Sequence, residues 1–149
     1  LLFFHTFEFV KFKLKYFIFF IMKNDIYDLH DIKILIDSFY GEVQKDTLIG
    51  GIFHGAIQNW PVHLEKMYTF WQTVLLGKHT YSGSPFSPHA QMQLDTIHFE
   101  RWLYLWSKTI DTYFEGETAE EAKWRAEKMA SLFLIKIEHL RNQGSKSLT

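Results

Sequence analysis

The stretch from Ser84 to Trp106, SPFSPHAQMQLDTIHFERWLYLW, presents one histidine, His89, on a proline-bounded loop just ahead of an aromatic-rich segment. A neutral imidazole on a constrained loop can give one ring nitrogen to a metal while its other N–H donates to a carbonyl or carboxylate that fixes the ring. Three more side chains bring hydrogen-bonding groups: Tyr40 an O–H, His63 an N–H or an acceptor, and Trp102 an indole N–H. His98, within HFERWL, competes with His89 for the ligand role. Taken singly, these residues also have plainer readings, a loop histidine for His89 and helical core packing for Tyr40 and Trp102.

Helical periodicity supplies the elements that would position them. From Asp25 to Lys45, Leu29, Ile32, Leu35 or Ile36, Phe39 and Val43 recur at helical intervals, with Tyr40 beside the stripe. The block Asp46 to Asn59 carries Gly50, Gly51 and Gly55 and reads as irregular, with Phe53 as a core anchor. Pro61 suits the first turn of a second helix whose face runs through His63, Met67, Phe70 or Trp71 and Val74 to a capping Gly77. Lys78 to Pro88 holds Gly83, Pro85, Pro88 and three serines, which is loop chemistry. A third helix follows through Phe99, Trp102 or Leu103, Trp106, Ile110 and Tyr113 or Phe114, stopping near Gly116. Thr118-x-x-Glu121 reads as the capping box of a fourth, with Ala122, Ala126, Met129, Phe133 and Ile137 inward, ending at Gly144. The expectation is one all-α domain of about four major helices.

Composition removes several function classes. The 149 residues, 47% hydrophobic and 18% aromatic, suffice for one well-buried core. A net charge of -1 without a basic cluster gives no electrostatic footprint for nucleic acid. The sequence has no cysteine, which excludes disulfides, cysteine-ligated zinc or iron-sulfur centres, and a covalent CxxCH haem link. It also suits a reducing cytoplasm. There is no HExxH, no P-loop and no recognisable Ser/His/Asp constellation.

Leu1 to Ile21, LLFFHTFEFVKFKLKYFIFFI, holds 8 of the 15 phenylalanines, and the composition changes at Met22. Glu8, Lys11, Lys13 and Lys15 interrupt its apolar run, and it has neither a signal-peptide cleavage site nor the length and purity of a spanning helix. The reading is a non-native upstream extension or disordered leader over 1–21, a domain over 22–143 and a flexible tail over 144–149. Without the leader's three lysines and one glutamate, 13 basic and 16 acidic residues remain, a charge of -3.

The order and spacing of the motifs resemble the group III truncated haemoglobins over roughly Asp31 to Leu140. The motifs are Phe39-Tyr40, Trp60 with His63 three residues on, Tyr81-Ser-Gly83-Ser-Pro85, His89, and His98-Phe99-Glu-Arg-Trp102-Leu103. The resemblance implies a bacterial 2/2 globin fold, an all-α sandwich of two helix pairs around noncovalent haem b. It makes His89 the proximal iron ligand and Tyr40, His63 and Trp102 the distal groups that stabilise oxygen, nitric oxide or carbon monoxide. Phe53, Met67 and His98 become cofactor contacts, with Lys66, His79 and Arg101 chemically suited to the propionates. A haem enzyme with peroxidase-like or nitric oxide dioxygenase activity is the alternative, and a haem-free helical interaction domain a further one. Because no Gly-rich dinucleotide fingerprint occurs, electrons would come from a separate reductase. Neither a membrane nor a nucleic-acid partner is expected.

Overall fold

The computed structural model describes residues 23–146, with the side chains of 144–146 outside the description. The leader assigned to 1–21 and the last residues of the tail, 147–149, lie outside the described residues. The helices are α1 (Leu29–Val43), α2 (Gly50–Ala56), α3 (Trp60–Leu76), α4 (Thr96–Tyr113) and α5 (Glu117–Lys146), with a 3-10 turn at Ser87–His89. α1 packs on α3 and on α4, while α4 packs on α5. Two helix pairs, α1 with α3 and α4 with α5, therefore form the two-over-two sandwich. Among the described residues the only ladder-type contact is an isolated bridge between Asn24 and Phe114.

Local chemistry explains most of the boundaries. Asp28 caps α1 by accepting from the Asp31 N–H at 3.1 Å, and the Asp31 carboxylate reaches back to the Tyr27 and Asp28 N–H groups. Asn59 caps α3 through the Val62 N–H at 3.1 Å. At the other end Gly77 adopts φ 64°, the left-handed conformation that a side chain would strain.

Three expectations need correction. The block read as irregular contains α2, because Asp46 accepts the Leu48 and Ile49 N–H groups at 3.0 and 3.1 Å and starts a turn there. Gly50 then sits so close to the end of α1 that a Cβ would lie 3.0 Å from the Val43 carbonyl oxygen, so this glycine serves close approach rather than helix breaking. The start of α5 is not held by the Thr118 capping box. Its orphan N–H groups at Thr118 and Ala119 donate, each at 2.8 Å, to the carboxylate of Asp25, more than ninety residues earlier. Finally, α5 runs to Lys146, past Gly144, since a single helical glycine costs only about 1 kcal/mol.

The core is aromatic at its centre. Trp106 is fully buried, donates its indole N–H to the Ala122 carbonyl of α5 at 3.1 Å, and stacks against Trp71 of α3 at 4.4 Å between ring centroids. Phe39 of α1 meets Trp106 edge-on at 5.0 Å. Ala119, Ala122, Ala126 and Ala130 are buried along α5, small enough to let α4 approach.

Candidate functional site

A cavity of about 270 Å³ lies between the helix pairs, and its lining includes Tyr40, Phe53, His63, Met67, His89, His98 and Trp102. These seven candidate residues thus line one space, although they come from α1, α2, α3, the 3-10 turn and α4.

His89 is set by its loop. The carbonyl of Pro85 can only accept, so its 2.9 Å contact with Nδ1 means that Nδ1 carries the proton, leaving the Nε2 lone pair free. Phe133 of α5 packs on the ring at 5.0 Å. Burial lowers the His89 pKa, with the Pro85 hydrogen bond working against it, so the neutral form that a metal needs is favoured. The preceding loop is tied to the end of α3, where the Thr73 hydroxyl accepts the Tyr81 N–H at 3.0 Å and donates to the Lys78 carbonyl at 2.6 Å.

His98 is arranged in the opposite sense. Its Nδ1 accepts the Asp95 N–H at 3.0 Å as the third residue of a capping box, so the neutral ring carries its proton on Nε2 and has no free lone pair. The partners of the two rings thus select different tautomers, and His89 is the one whose Nε2 lone pair is left uncommitted. His98 remains a hydrogen-bond donor at the cavity.

The other polar groups line the same cavity. His63 lies in the first turn of α3, and its Nε2 is buried with no hydrogen bond. Its ring meets Tyr40 edge-on at 5.0 Å. Burial lowers its pKa first, with smaller contributions from Lys66 and from His89, which places both histidines within electrostatic reach of each other. Tyr40 is 5% exposed, and burial pushes its pKa far up, so its hydroxyl keeps its proton. Phe39 holds Tyr40 at 5.0 Å and Trp102 at 5.5 Å.

These features fit a haem group. A mainly apolar space suits a flat macrocycle, the His89 lone pair suits iron, and the orphaned His63 nitrogen would otherwise cost about 1–3 kcal/mol of desolvation. Of the three side chains chemically suited to propionates, Lys66 lines the cavity, while His79 and Arg101 do not. Arg101 instead pairs with Asp46 at 2.7 Å, tying α4 to the turn that starts α2 and so to Phe53. Sequence reasoning placed Phe133 and Trp71 in the core without assigning them to the site. Both line the cavity, and their helical periodicity carries no signal that separates a pocket wall from ordinary packing.

Comparison with known proteins agrees with this geometry. Residues 26–134 match a family model described as "Bacterial-like globin". The chain is 32% identical to a protein named Group 3 truncated hemoglobin ctb from Campylobacter jejuni, over 75% of this chain and 92% of that protein. The crystal structure of the group III truncated hemoglobin from Campylobacter jejuni superposes with a TM-score of 0.72 at 30% identity, covering 78% of this chain and 95% of that one.

Proposed function

The chain belongs to the bacterial-like globin family, among its group III truncated haemoglobins, and from that premise we propose that it holds haem b noncovalently and binds oxygen, nitric oxide or carbon monoxide. Haem supplies the iron at which such a gas is held. The observation that carries the reading is that one cavity is lined both by an imidazole whose Nε2 is left uncommitted and by His63, whose buried Nε2 has no hydrogen-bond partner among the described residues, together with Tyr40 and Trp102.

In this reading His89 ligates the iron, with Pro85 fixing its tautomer and Phe133 its ring orientation. Tyr40 would offer its O–H, and Trp102 its indole N–H, to a gas bound in the cavity that both line. His63 contributes Nε2 as donor or acceptor. In a space from which water is excluded, such donors stabilise a ligand that gains negative charge more strongly than solvent does. Phe53 and Met67 wall the pocket, and Lys66 is the cation suited to a propionate.

The same polar groups support a second reading, a haem enzyme that reduces peroxide or converts nitric oxide to nitrate. Its motivation is that His63 can hold or pass a proton at an otherwise unpaired nitrogen inside the cavity. Either activity would draw electrons from a separate reductase or from small reductants. A cytoplasmic setting is supported by the cysteine-free sequence. No helix among the described residues is long and apolar enough to cross a membrane.

The test is a visible spectrum of the full chain reconstituted with haem b at one-to-one stoichiometry, in ferric, ferrous and CO-bound forms. A sharp Soret band that moves on reduction and again on CO addition is expected. Absence of stoichiometric binding overturns the reading and leaves a helical interaction domain.

A further inference from the structure

Three tryptophans form a continuous stack through the core, and its two ends, Trp102 and Trp71, both line the cavity. Trp102 lines the cavity and lies parallel to Trp106, at 5.7 Å between centroids and 4° between planes. Trp106 stacks on Trp71 at 4.4 Å and 24°. Trp71 shares α3 with Tyr68, one helical turn earlier, where side chains three residues apart are neighbours. The Tyr68 hydroxyl donates a hydrogen bond to the carboxylate of Asp37 on α1. Asp37 itself is exposed to solvent. The gas-binding role uses Trp102 alone and leaves Trp106, Trp71 and the Tyr68–Asp37 pair without a part.

We propose that Trp102, Trp106 and Trp71 form an electron relay that ends at Tyr68, through which the protein uses a hydroperoxide in the pocket to oxidise small phenolic reductants that approach Tyr68 from the side of the exposed Asp37. The proposal rests on the haem-binding reading and extends its peroxide-reducing alternative.

What selects Tyr68 as the terminus is the proton. A tyrosine gives up an electron readily only where its proton has an acceptor within hydrogen-bond reach. Among the described residues, Tyr68 is the tyrosine whose hydroxyl donates to a carboxylate. Tyr40 is closer to the chemistry, but its hydroxyl has no acceptor among the described residues; both tyrosines are buried, and at Tyr68 it is the Asp37 carboxylate beside the hydroxyl that is open to solvent. Trp106 donates to the Ala122 carbonyl, which cannot take a proton. Burial first, then the Asp37 hydrogen bond and the charges of Asp37 and Glu65, push the Tyr68 pKa up, so the resting group is the intact phenol. Lys33 lies over its ring at 5.1 Å and would repel a cationic radical. Transfer of the proton to Asp37 avoids that cost by leaving the phenoxyl neutral.

The overall reaction balances as one hydrogen peroxide and two phenols giving two waters and two phenoxyl radicals. The O–O bond breaks and each phenol loses its O–H bond. In each of two passes an electron leaves Tyr68 inward along the stack, and the Tyr68 proton moves to Asp37. The reductant then returns an electron to Tyr68, Asp37 returns the proton, and the reductant's own proton goes to solvent. Two protons enter the pocket from solvent to complete the waters, so peroxide is reduced and the phenols are oxidised.

The experiment treats the full chain, first shown to carry haem by its Soret band, with hydrogen peroxide in the presence of a nitroso spin trap, and maps the trapped site by peptide mass spectrometry alongside freeze-quench electron paramagnetic resonance. The expected result is an adduct on Tyr68 and a tyrosyl signal. Both should be lost in Tyr68→Phe, and both should fall sharply in Asp37→Asn, which keeps the stack and the phenol but removes the proton acceptor. Trp106→Phe should reduce the Tyr68 adduct while the Soret band persists. A haem-loaded protein that forms adducts at Tyr40 or Trp102 with none at Tyr68 overturns the relay, as does an undiminished Tyr68 adduct in Asp37→Asn. A chain that gives no Soret band overturns the haem reading and the relay together, and so is told apart from failure of the relay alone.

Discussion

At the residue scale, the chemistry turns on which nitrogen of each histidine is committed. Because Nδ1 of His89 is held by Pro85 and Nδ1 of His98 by the Asp95 N–H, the two rings present opposite faces of the same chemistry to the cavity. His89→Ala is therefore expected to abolish stoichiometric haem uptake, while His98→Ala should retain the Soret band, and haem content per chain measures both. Tyr40→Phe removes an O–H without changing the packing against Phe39 and His63. It should accelerate oxygen release by roughly tenfold, the effect of about 1.5 kcal/mol of hydrogen bonding, read by stopped-flow dissociation. An unchanged rate would assign the stabilisation to His63 or Trp102. Burial lowers the pKa of both His63 and His89 from 6.5, so below that value the unfolded chain binds protons that the native pocket refuses. Stability from these two groups is complete above 6.5 and declines as the pH falls below it, and the unliganded protein should show a falling melting temperature over that window.

At the element scale, the sandwich depends on contacts that join distant segments. The Asp25 carboxylate accepts N–H groups from Ile26, Thr118 and Ala119, each at 2.8 Å, and so clasps the chain before α1 to the first turn of α5. Burial acts to raise its pKa, but the backbone N–H groups of Thr118, Ile26 and Ala119 outweigh that and the net shift is downward. Its contribution is present above the ordinary carboxylate value of 3.8 and is lost as the pH falls through the depressed native value. Asp25→Ala should cost about 2–3 kcal/mol at neutral pH, from a lost cap and stranded donors, as measured by urea denaturation. A change within error would mean that water replaces the carboxylate. Gly116, at φ 150°, leaves no room for a Cβ, which would lie 2.4 Å from Asp25, so Gly116→Ala should be destabilising through the same clasp.

At the scale of the whole molecule, pocket and core are one structure, since Trp71 and Trp102 line the cavity and also stack on Trp106 at the centre of the fold. Haem that binds only the folded form should stabilise it in proportion to the logarithm of its concentration, by about 4 kcal/mol at a thousandfold excess over the dissociation constant, and so raise the melting temperature. A chain beginning at Met22 should show the same haem-dependent shift as the full chain, because the cavity and core residues named above all lie within 23–146, and loss of soluble haem-bound protein would assign the first residues a structural part. The helical periods of Leu29 to Val43, Trp60 to Leu76 and Thr96 to Tyr113 were legible in the sequence because each helix buries a stripe whose spacing follows from its own pitch. So was the convergence of Tyr40, His63, His89 and Trp102, once their order and intervals were set against a known family. The Asp25 cap on α5, the helical state of Gly50 to Ala56 and the engagement of Arg101 by Asp46 were decided only by tertiary structure. The Asp25 cap and the Arg101–Asp46 pair depend on which distant segment supplies a hydrogen-bond partner, which no local period encodes, while Gly50 to Ala56 becomes a helix because Asp46 starts the turn that leads into it and glycine permits close packing on the end of α1.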